Sequence, residues 1–147
     1  MRKVAIAPWV ALFALLCMPL TALAVPAANH AARFGDLVVH YSAVRSDFFA
    51  PQVARQYGFV RSNTRAVLTV SLLRNQVAVP AQVTASAEYP DGQPFAIPLR
   101  EIREGKAVYY LGDFRIQPPV TLKIHLDVRT NETATLHSVS FDQAFYP

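Results

Sequence analysis

Apolar and polar residues alternate along most of the chain beyond residue 33, in short runs separated by turn residues. Alternation with a period of two is typical of a β-strand with one buried face. The cleanest run is residues 122–128, where every second side chain is apolar and the others are polar or charged. The pattern predicts about seven strands, in residues 37–44, 66–73, 82–89, 95–99, 107–116, 122–128 and 135–141.

Short, one-sided strands that are joined by tight turns pack as two antiparallel sheets, face to face. We therefore predict an all-β fold, an immunoglobulin-like antiparallel β-sandwich of about seven strands with one short helix. The strand at 66–73 has apolar residues on both faces, so we expect it to be central. Pro98 removes a backbone donor from the strand at 95–99, which predicts an edge position or a bulge there.

One segment departs from the period of two. Ala50–Tyr57 has helical spacing, with Pro51 suited to a first turn and Gly58 suited to a helix end. We predict a helix of about two turns. Three phenylalanines surround it, and we expect them to close one end of the core: Phe48, Phe49 and Phe59.

The N-terminal segment has the pattern of a secretory signal peptide. Arg2 and Lys3 precede an almost wholly apolar run, and Ala22 and Ala24 supply small residues for cleavage after residue 24. The alternative is a membrane anchor that is kept, but prolines interrupt the run, and a spanning helix needs about 20 consecutive apolar residues. A lipid anchor on the single cysteine is disfavoured because Leu16, which is not small, precedes it.

We therefore divide the chain into a signal peptide (1–24), a flexible N-terminal arm (25–32) and a β-sandwich domain (33–147), and we expect a periplasmic location. The 147 − 24 = 123 residues after cleavage contain no cysteine, methionine or tryptophan, so core burial alone must hold the fold. They carry 14 − 2 = 12 basic and 10 acidic residues. No dense basic run is present, so we expect no binding to nucleic acid. Membrane contact is expected only through the signal peptide, if it is uncleaved.

The positions of the histidines do not indicate a metal site, and the sequence predicts no cofactor. The histidines are widely separated in the sequence, and zinc usually takes three or four ligands. His125 and His137 lie on neighbouring predicted strands and could face each other. One alternative stays open: cleavage after Ala27 would leave Ala28-Asn29-His30 at the terminus, a sequence that could chelate a cupric ion. The four histidines are His30, His40, His125 and His137.

Residues 100–105, Arg-Glu-Ile-Arg-Glu-Gly, form the densest charged stretch. One interpretation is a solvated strand end that discourages pairing with another edge. The other is a pocket for an anion or a carboxylate, because the planar guanidinium group binds carboxylates bidentately. The candidate residues for binding a ligand or partner are Tyr41, Tyr57, Arg61, Arg65, Arg100 and Arg103.

Short motifs spread over residues 33–146 point to a family. They are Phe34-Gly35-Asp36 with His40–Ala43, Tyr57-Gly58 with Arg61-Ser62, Arg65-Ala66, Arg100–Gly105 before Tyr109-Tyr110, and Phe141 with Phe145-Tyr146. On these residues the chain resembles domain of unknown function family 4426, which consists of short exported proteobacterial proteins. The resemblance implies a β-rich envelope protein, and it supplies neither an activity nor catalytic residues.

The sequence contains no Gly-x-Ser-x-Gly motif, and Ser42 lies near His40 only in sequence. The leading hypothesis is therefore a non-enzymatic binding or accessory module. It would bind an envelope protein or a small anionic ligand through an edge strand or through the end that carries Arg61, Arg65 and Arg103. The alternative is a small periplasmic hydrolase or ligand carrier with a pocket beneath the short helix.

Overall fold

The computed structural model describes residues 30–147. The predicted signal peptide and residues 25–29 of the predicted arm lie outside this range. Within it there is one α-helix, α1 (Pro51–Tyr57), preceded by a 3-10 turn at Ser46–Phe48. The strands are β1 (Ala31–Phe34), β2 (Leu37–Arg45), β3 (Arg65–Arg74), β4 (Val77–Ala78), β5 (Ala81–Glu88), β6 (Pro94–Ile97), β7 (Arg100–Glu104), β8 (Ala107–Arg115), β9 (Val120–Thr130) and β10 (His137–Phe145).

The strands form two antiparallel sheets, and the predicted β-sandwich is confirmed. One sheet has the order β1-β2-β3-β8-β7, with β4 paired to the end of β3, and the other has the order β10-β9-β5-β6. β3 is central, as its two apolar faces predict. Ten strands are present among the described residues instead of about seven, because β1, β4 and β7 are additional. These three are short, and none of them shows a long apolar alternation.

The core lies between the two sheets, and the period of two identifies its members. In β9 the four alternating apolar side chains are fully buried, and the residues between them are exposed or half-buried. The predicted inward residues of β3 are likewise fully buried. The predicted arm ends in the additional strand β1: its last residues, Ala31 and Ala32, pair with His40 and Val39 of β2.

Helix α1 has nearly the predicted bounds, but it does not close an end of the core. It lies on the outward face of the six-stranded sheet, where Ala54 and Phe59 pack with Val67 and Leu111 in a second small apolar cluster. The side chain of Phe48 is 71% exposed. The predicted position of the phenylalanines at one end of the core was wrong. β3 and β8 carry apolar side chains on their outward faces, and the helix segment packs there and buries them.

The chain changes sheets between β6 and β7, and Pro98 lies at this crossing. β6 is an edge strand, as the proline predicts. The crossing passes close over Gly112 of β8: a Cβ atom at Gly112 would lie 2.6 Å from the carbonyl oxygen of Pro98. A residue without a side chain is therefore required where the two sheets approach each other.

Tyr110 joins the two sheets through hydrogen bonds. Its hydroxyl accepts the backbone N–H of Ala81, at the start of β5, at 2.7 Å and donates to the carboxylate of Glu101 at 3.3 Å. Burial raises the pKa of the Tyr110 hydroxyl above its ordinary value of 10.0, and the charge of Glu101 acts in the same direction. The proton of Tyr110 is therefore held more tightly in the folded state than in the unfolded chain.

We expect Tyr110→Phe to lower the free energy of unfolding by about 1–2 kcal/mol at neutral pH, because the N–H of Ala81 loses its partner. The variant should also lose less stability at high pH. A raised pKa contributes stability that is complete below pH 10 and is lost as the pH rises through the pKa of the folded state. Urea unfolding at several alkaline pH values measures both effects. Tyr146→Phe, at a side chain that is 70% exposed, is the control. An equal alkaline loss in both variants would contradict the prediction.

Candidate functional site

The candidate site is a cleft between the end of α1 and the edge strand β7. Its volume is about 330 Å³. Three arginines line it from two elements, one from the helix and two from the strand. The charged and polar residues around the cleft are Arg55, Gln56, Tyr57, Arg100, Arg103 and Glu104.

Local sequence explains why these elements meet. Pro51 occupies the first turn of α1, and Gly58 ends the helix in the left-handed conformation at a φ of 67°. The guanidinium group of Arg100 lies beside Gly58, since a Cβ atom there would be in ordinary van der Waals contact with Nη1 of Arg100, at 3.5 Å. The helix end can therefore lie close to the charged edge of the sheet.

The segments on either side of α1 are tied together by Ser46, which is fully buried. Its hydroxyl donates to the carbonyl oxygen of Ser62 at 3.1 Å and accepts the backbone N–H of Ser62 at 2.9 Å. Arg61 donates to the carbonyl oxygen of Asp47 at 2.9 Å in the same region. A hydrogen bond from Arg45 holds the pKa of the Asp47 carboxyl below its usual value. These contacts fix the two ends of the loop that carries the helix.

Some of the charged side chains around the cleft have hydrogen-bond or ion-pair partners, and others have none in the part of the chain that the structure describes. Glu104 accepts hydrogen bonds from the Tyr57 hydroxyl at 2.6 Å and from Nε2 of Gln56 at 3.0 Å. The bond to Glu104 raises the pKa of Tyr57. Arg103 forms an ion pair with Glu101. Among residues 30–147, Arg55 and Arg100 form no ion pair and no side-chain hydrogen bond. Two guanidinium groups at this cleft are therefore available to an anion.

An apolar cavity of about 170 Å³ lies beneath α1, next to the cleft. The helix and the residues flanking it form the roof, and the outward faces of β3, β7 and β8 form the floor. Tyr57 and Ile102 line both the cavity and the arginine cleft. The other residues that line the cavity are Phe49, Val53, Phe59, Thr69, Tyr109 and Leu111.

The structure brings three of the six predicted binding residues together at the cleft, namely Tyr57, Arg100 and Arg103. Arg65 lines a different concavity, of about 470 Å³, and forms an ion pair with Asp113 there. Tyr41 lies near the opposite edge of the six-stranded sheet.

The ring of Tyr41 contacts the rings of His30 and Phe141, with centroids 5.5 Å and 4.5 Å apart. Arg61 remains with Asp47, outside the residues that line the cleft. The six candidates therefore do not share one pocket.

The sequence interpretation missed Arg55, Gln56 and Glu104. Arg55 and Gln56 directly precede Tyr57, and Glu104 follows Arg100 at strand spacing on one side of β7. The signal for them was the predicted helix end together with the charged stretch. Their convergence also requires the position of α1 on the sheet, which the pattern does not contain.

His125 and His137 do not face each other. Nδ1 of His125 lies 2.7 Å from the hydroxyl of Ser140, and Nε2 lies 4.0 Å from the Glu88 carboxylate. The ring of His137 instead packs on Phe34, with centroids 4.4 Å apart. The separation of 4.0 Å exceeds a hydrogen bond, so the carboxylate does not orient the imidazole as in a catalytic triad.

Two further features of the described residues concern metals and membranes. No group of three or more histidine, cysteine or acidic side chains within residues 30–147 is placed to hold a metal ion. In the same range, no helix has both the length and the apolar character that crossing a bilayer requires.

Comparison with solved structures gives related folds. A DUF4426 family protein of Pseudomonas aeruginosa is 33% identical, with 80% of this chain and 94% of that chain covered and a TM-score of 0.71. A copper-bound variant of FetP from uropathogenic Escherichia coli strain F11 is 9% identical, covers 80% of this chain and 95% of that chain, and has a TM-score of 0.58. The likeness to FetP concerns the fold alone.

No curated protein matches the sequence. The sequence profile of the domain of unknown function DUF4426 matches residues 31–147, which is the whole of the sandwich. The chain therefore belongs to the DUF4426 family.

Proposed function

We propose that this protein is a non-enzymatic binding module of the periplasm that holds a small anionic ligand in the cleft between α1 and β7. The single observation that carries the proposal is the pair of guanidinium groups, Arg55 and Arg100, that face this cleft without an internal counter-ion. The acidic residue that lines the cleft, Glu104, is already hydrogen-bonded to Tyr57 and Gln56. Both arginines are exposed, so an incoming carboxylate competes with water, and not with another side chain of residues 30–147, for these donors.

The periplasmic location rests on the N-terminal sequence. The pattern of Arg2, Lys3 and the apolar run that ends with Ala22 and Ala24 is that of an exported protein. Mass spectrometry of the protein from a periplasmic extract tests the location, and a chain that keeps residues 1–24 in the membrane fraction would contradict it.

An envelope protein is the other partner class that the sequence suggests. Strand addition at β7 is disfavoured because four of its five residues are charged. Co-purification from envelope extract tests for such a partner. A stable complex that survives Arg100→Ala would favour a protein partner over a small anion.

We expect Arg100→Ala to weaken the binding of acetate to the cleft by up to about fivefold. The reason is that Arg100 is exposed, where a charge pair contributes about 0.2–1 kcal/mol, and each 1.4 kcal/mol is a factor of ten in Kd. Titration followed by backbone amide NMR shifts measures both the Kd and the place of binding. The largest shifts should occur at Gly58 and along β7.

Arg129→Ala is the matched control for Arg100→Ala. Arg129 is exposed on β9 of the other sheet, so its loss removes the same charge from a distant surface. We expect this variant to bind acetate as the unchanged protein does. Equal weakening by the two substitutions would show that acetate responds to net charge only, and the proposed site would be wrong.

The alternative function, a ligand carrier with a pocket beneath the helix, is favoured by one observation, the apolar cavity under α1. The hydrolase form of that alternative has less support. The geometry of Ser140, His125 and Glu88 lacks the second hydrogen bond of a triad. If the protein hydrolysed a simple ester and Ser140→Ala abolished that activity, the hydrolase alternative would be supported.

A further inference from the structure

We infer that the ligand is an amphiphilic carboxylate, whose charged group lies between Arg55 and Arg100 and whose aromatic ring or short acyl chain enters the cavity beneath α1. The inference rests on the proposed function of the arginine cleft. It adds to that function the apolar half of the ligand and the requirement that one molecule fills both spaces.

The two spaces are contiguous. Tyr57 and Ile102 line both of them, so these two side chains form part of the boundary between the charged space and the apolar space. The hydroxyl of Tyr57 is held by Glu104 at 2.6 Å, on the polar side. A ligand that crosses this boundary therefore passes directly from charged donors to apolar side chains.

The cavity has a size that suits a single ring. The pocket is partly open to solvent, and its volume of about 170 Å³ is enough for one ring, since an enclosed apolar cavity of about 150 Å³ holds benzene. Most of its wall is aliphatic or aromatic, with side chains such as Val53, Phe59 and Leu111. Water in contact with such a wall finds few polar partners, so an apolar group that displaces it is favoured.

The charges around the cleft favour one negative group in the ligand. Arg55 and Arg100 supply two planar donors, and these bind a carboxylate bidentately. Glu104 borders the same cleft, and its carboxylate accepts hydrogen bonds from Tyr57 and Gln56. A ligand with a second negative charge would be repelled by Glu104, so a monocarboxylate fits better than a dianion.

The test compares three probes that divide the ligand into its parts: phenylacetate, acetate for the head alone, and benzyl alcohol for the ring without charge. The protein is purified after expression of the full chain, and each Kd is measured by NMR titration. We expect phenylacetate to bind about tenfold to a hundredfold more tightly than acetate, which is the ratio that burial of one aromatic ring gives. Arg100→Ala should weaken phenylacetate and acetate by the same factor.

A variant that fills the cavity separates the two halves of the site. Thr69 lines the cavity and not the cleft, so Thr69→Phe should reduce the affinity for phenylacetate to that for acetate and leave acetate binding unchanged. Val53→Phe, which adds a ring from the helix instead of the sheet, is the second variant if Thr69→Phe does not fold. Thermal unfolding of each variant verifies that the fold is kept.

The outcomes distinguish the inference from the proposed function. If phenylacetate binds no more tightly than acetate, while Arg100→Ala still weakens acetate, the inference is wrong and the cleft remains. If benzyl alcohol binds as tightly as phenylacetate and Arg100→Ala changes neither, the anion site is wrong and the inference fails with it. The absence of binding for all three probes rejects both. Phenyl phosphate binding more than about tenfold tighter than phenylacetate would overturn the choice of a monocarboxylate.

Discussion

Leu126→Ala is expected to lower the free energy of unfolding by about 3–5 kcal/mol, because it removes a fully buried side chain and leaves a cavity. Leu126 lies on β9, inside the four-stranded sheet, where it is opposite Ala85 and Val139. Domains are stabilised by only about 5–15 kcal/mol, so this change removes a large part of the total. Urea unfolding followed by circular dichroism should show a lower midpoint with an unchanged slope.

Leu136→Ala is the matched control, since it is the same substitution at a side chain that is 50% exposed. Its effect should stay within about 0.5 kcal/mol. Similar losses in the two variants would contradict the placement of β9 between two packed layers. A mostly helical spectrum of the unchanged protein would contradict the sandwich itself.

Gly112→Ala is expected to destabilise the protein by about 3 kcal/mol, because the added methyl group has no space. Its Cβ would lie 2.6 Å from the carbonyl oxygen of Pro98 and 2.8 Å from Cδ2 of Leu99. The side chain of Leu99 can move, but the carbonyl oxygen belongs to the backbone that links β6 to β7. The crossing between the sheets must therefore shift as a unit.

Two further variants separate the causes of this loss. Leu99→Ala in the Gly112→Ala background should recover only part of the stability, because the contact with the Pro98 oxygen remains. Gly35→Ala has no atom within 4 Å of its new Cβ, and it measures the cost of a left-handed conformation alone. Full recovery by Leu99→Ala would show that the backbone contact is unimportant.

The strand faces were predictable because burial in a sandwich repeats every two residues, and runs such as 122–128 contain little else. The helix bounds were predictable because Pro51 and Gly58 act locally. The location of the helix was not. Val67 and Leu111 lie on the outward faces of strands that are also apolar inward, and the pattern does not say what covers such a patch.

Strand β7 was missed for a related reason. Its single half-buried residue, Ile102, gives too short a pattern to identify a strand. Pro98 marked the position correctly, but an edge or bulge and a change of sheet give the same local signal. The candidate site depends on this strand. Arg100 and Arg103 were predicted as anion-binding residues from their chemistry, and that role stays a prediction.

The two outer strands of the six-stranded sheet, β1 and β7, lie at opposite edges and carry different features of the protein. β1 carries the connection to everything that precedes residue 30, whereas β7 carries the arginines of the cleft. Four strand spacings, about 19 Å, lie between them. A tether attached ahead of β1 would thus leave the cleft at the far side of the sheet, and we expect an anchored and a released form of the protein to give the same Kd for acetate.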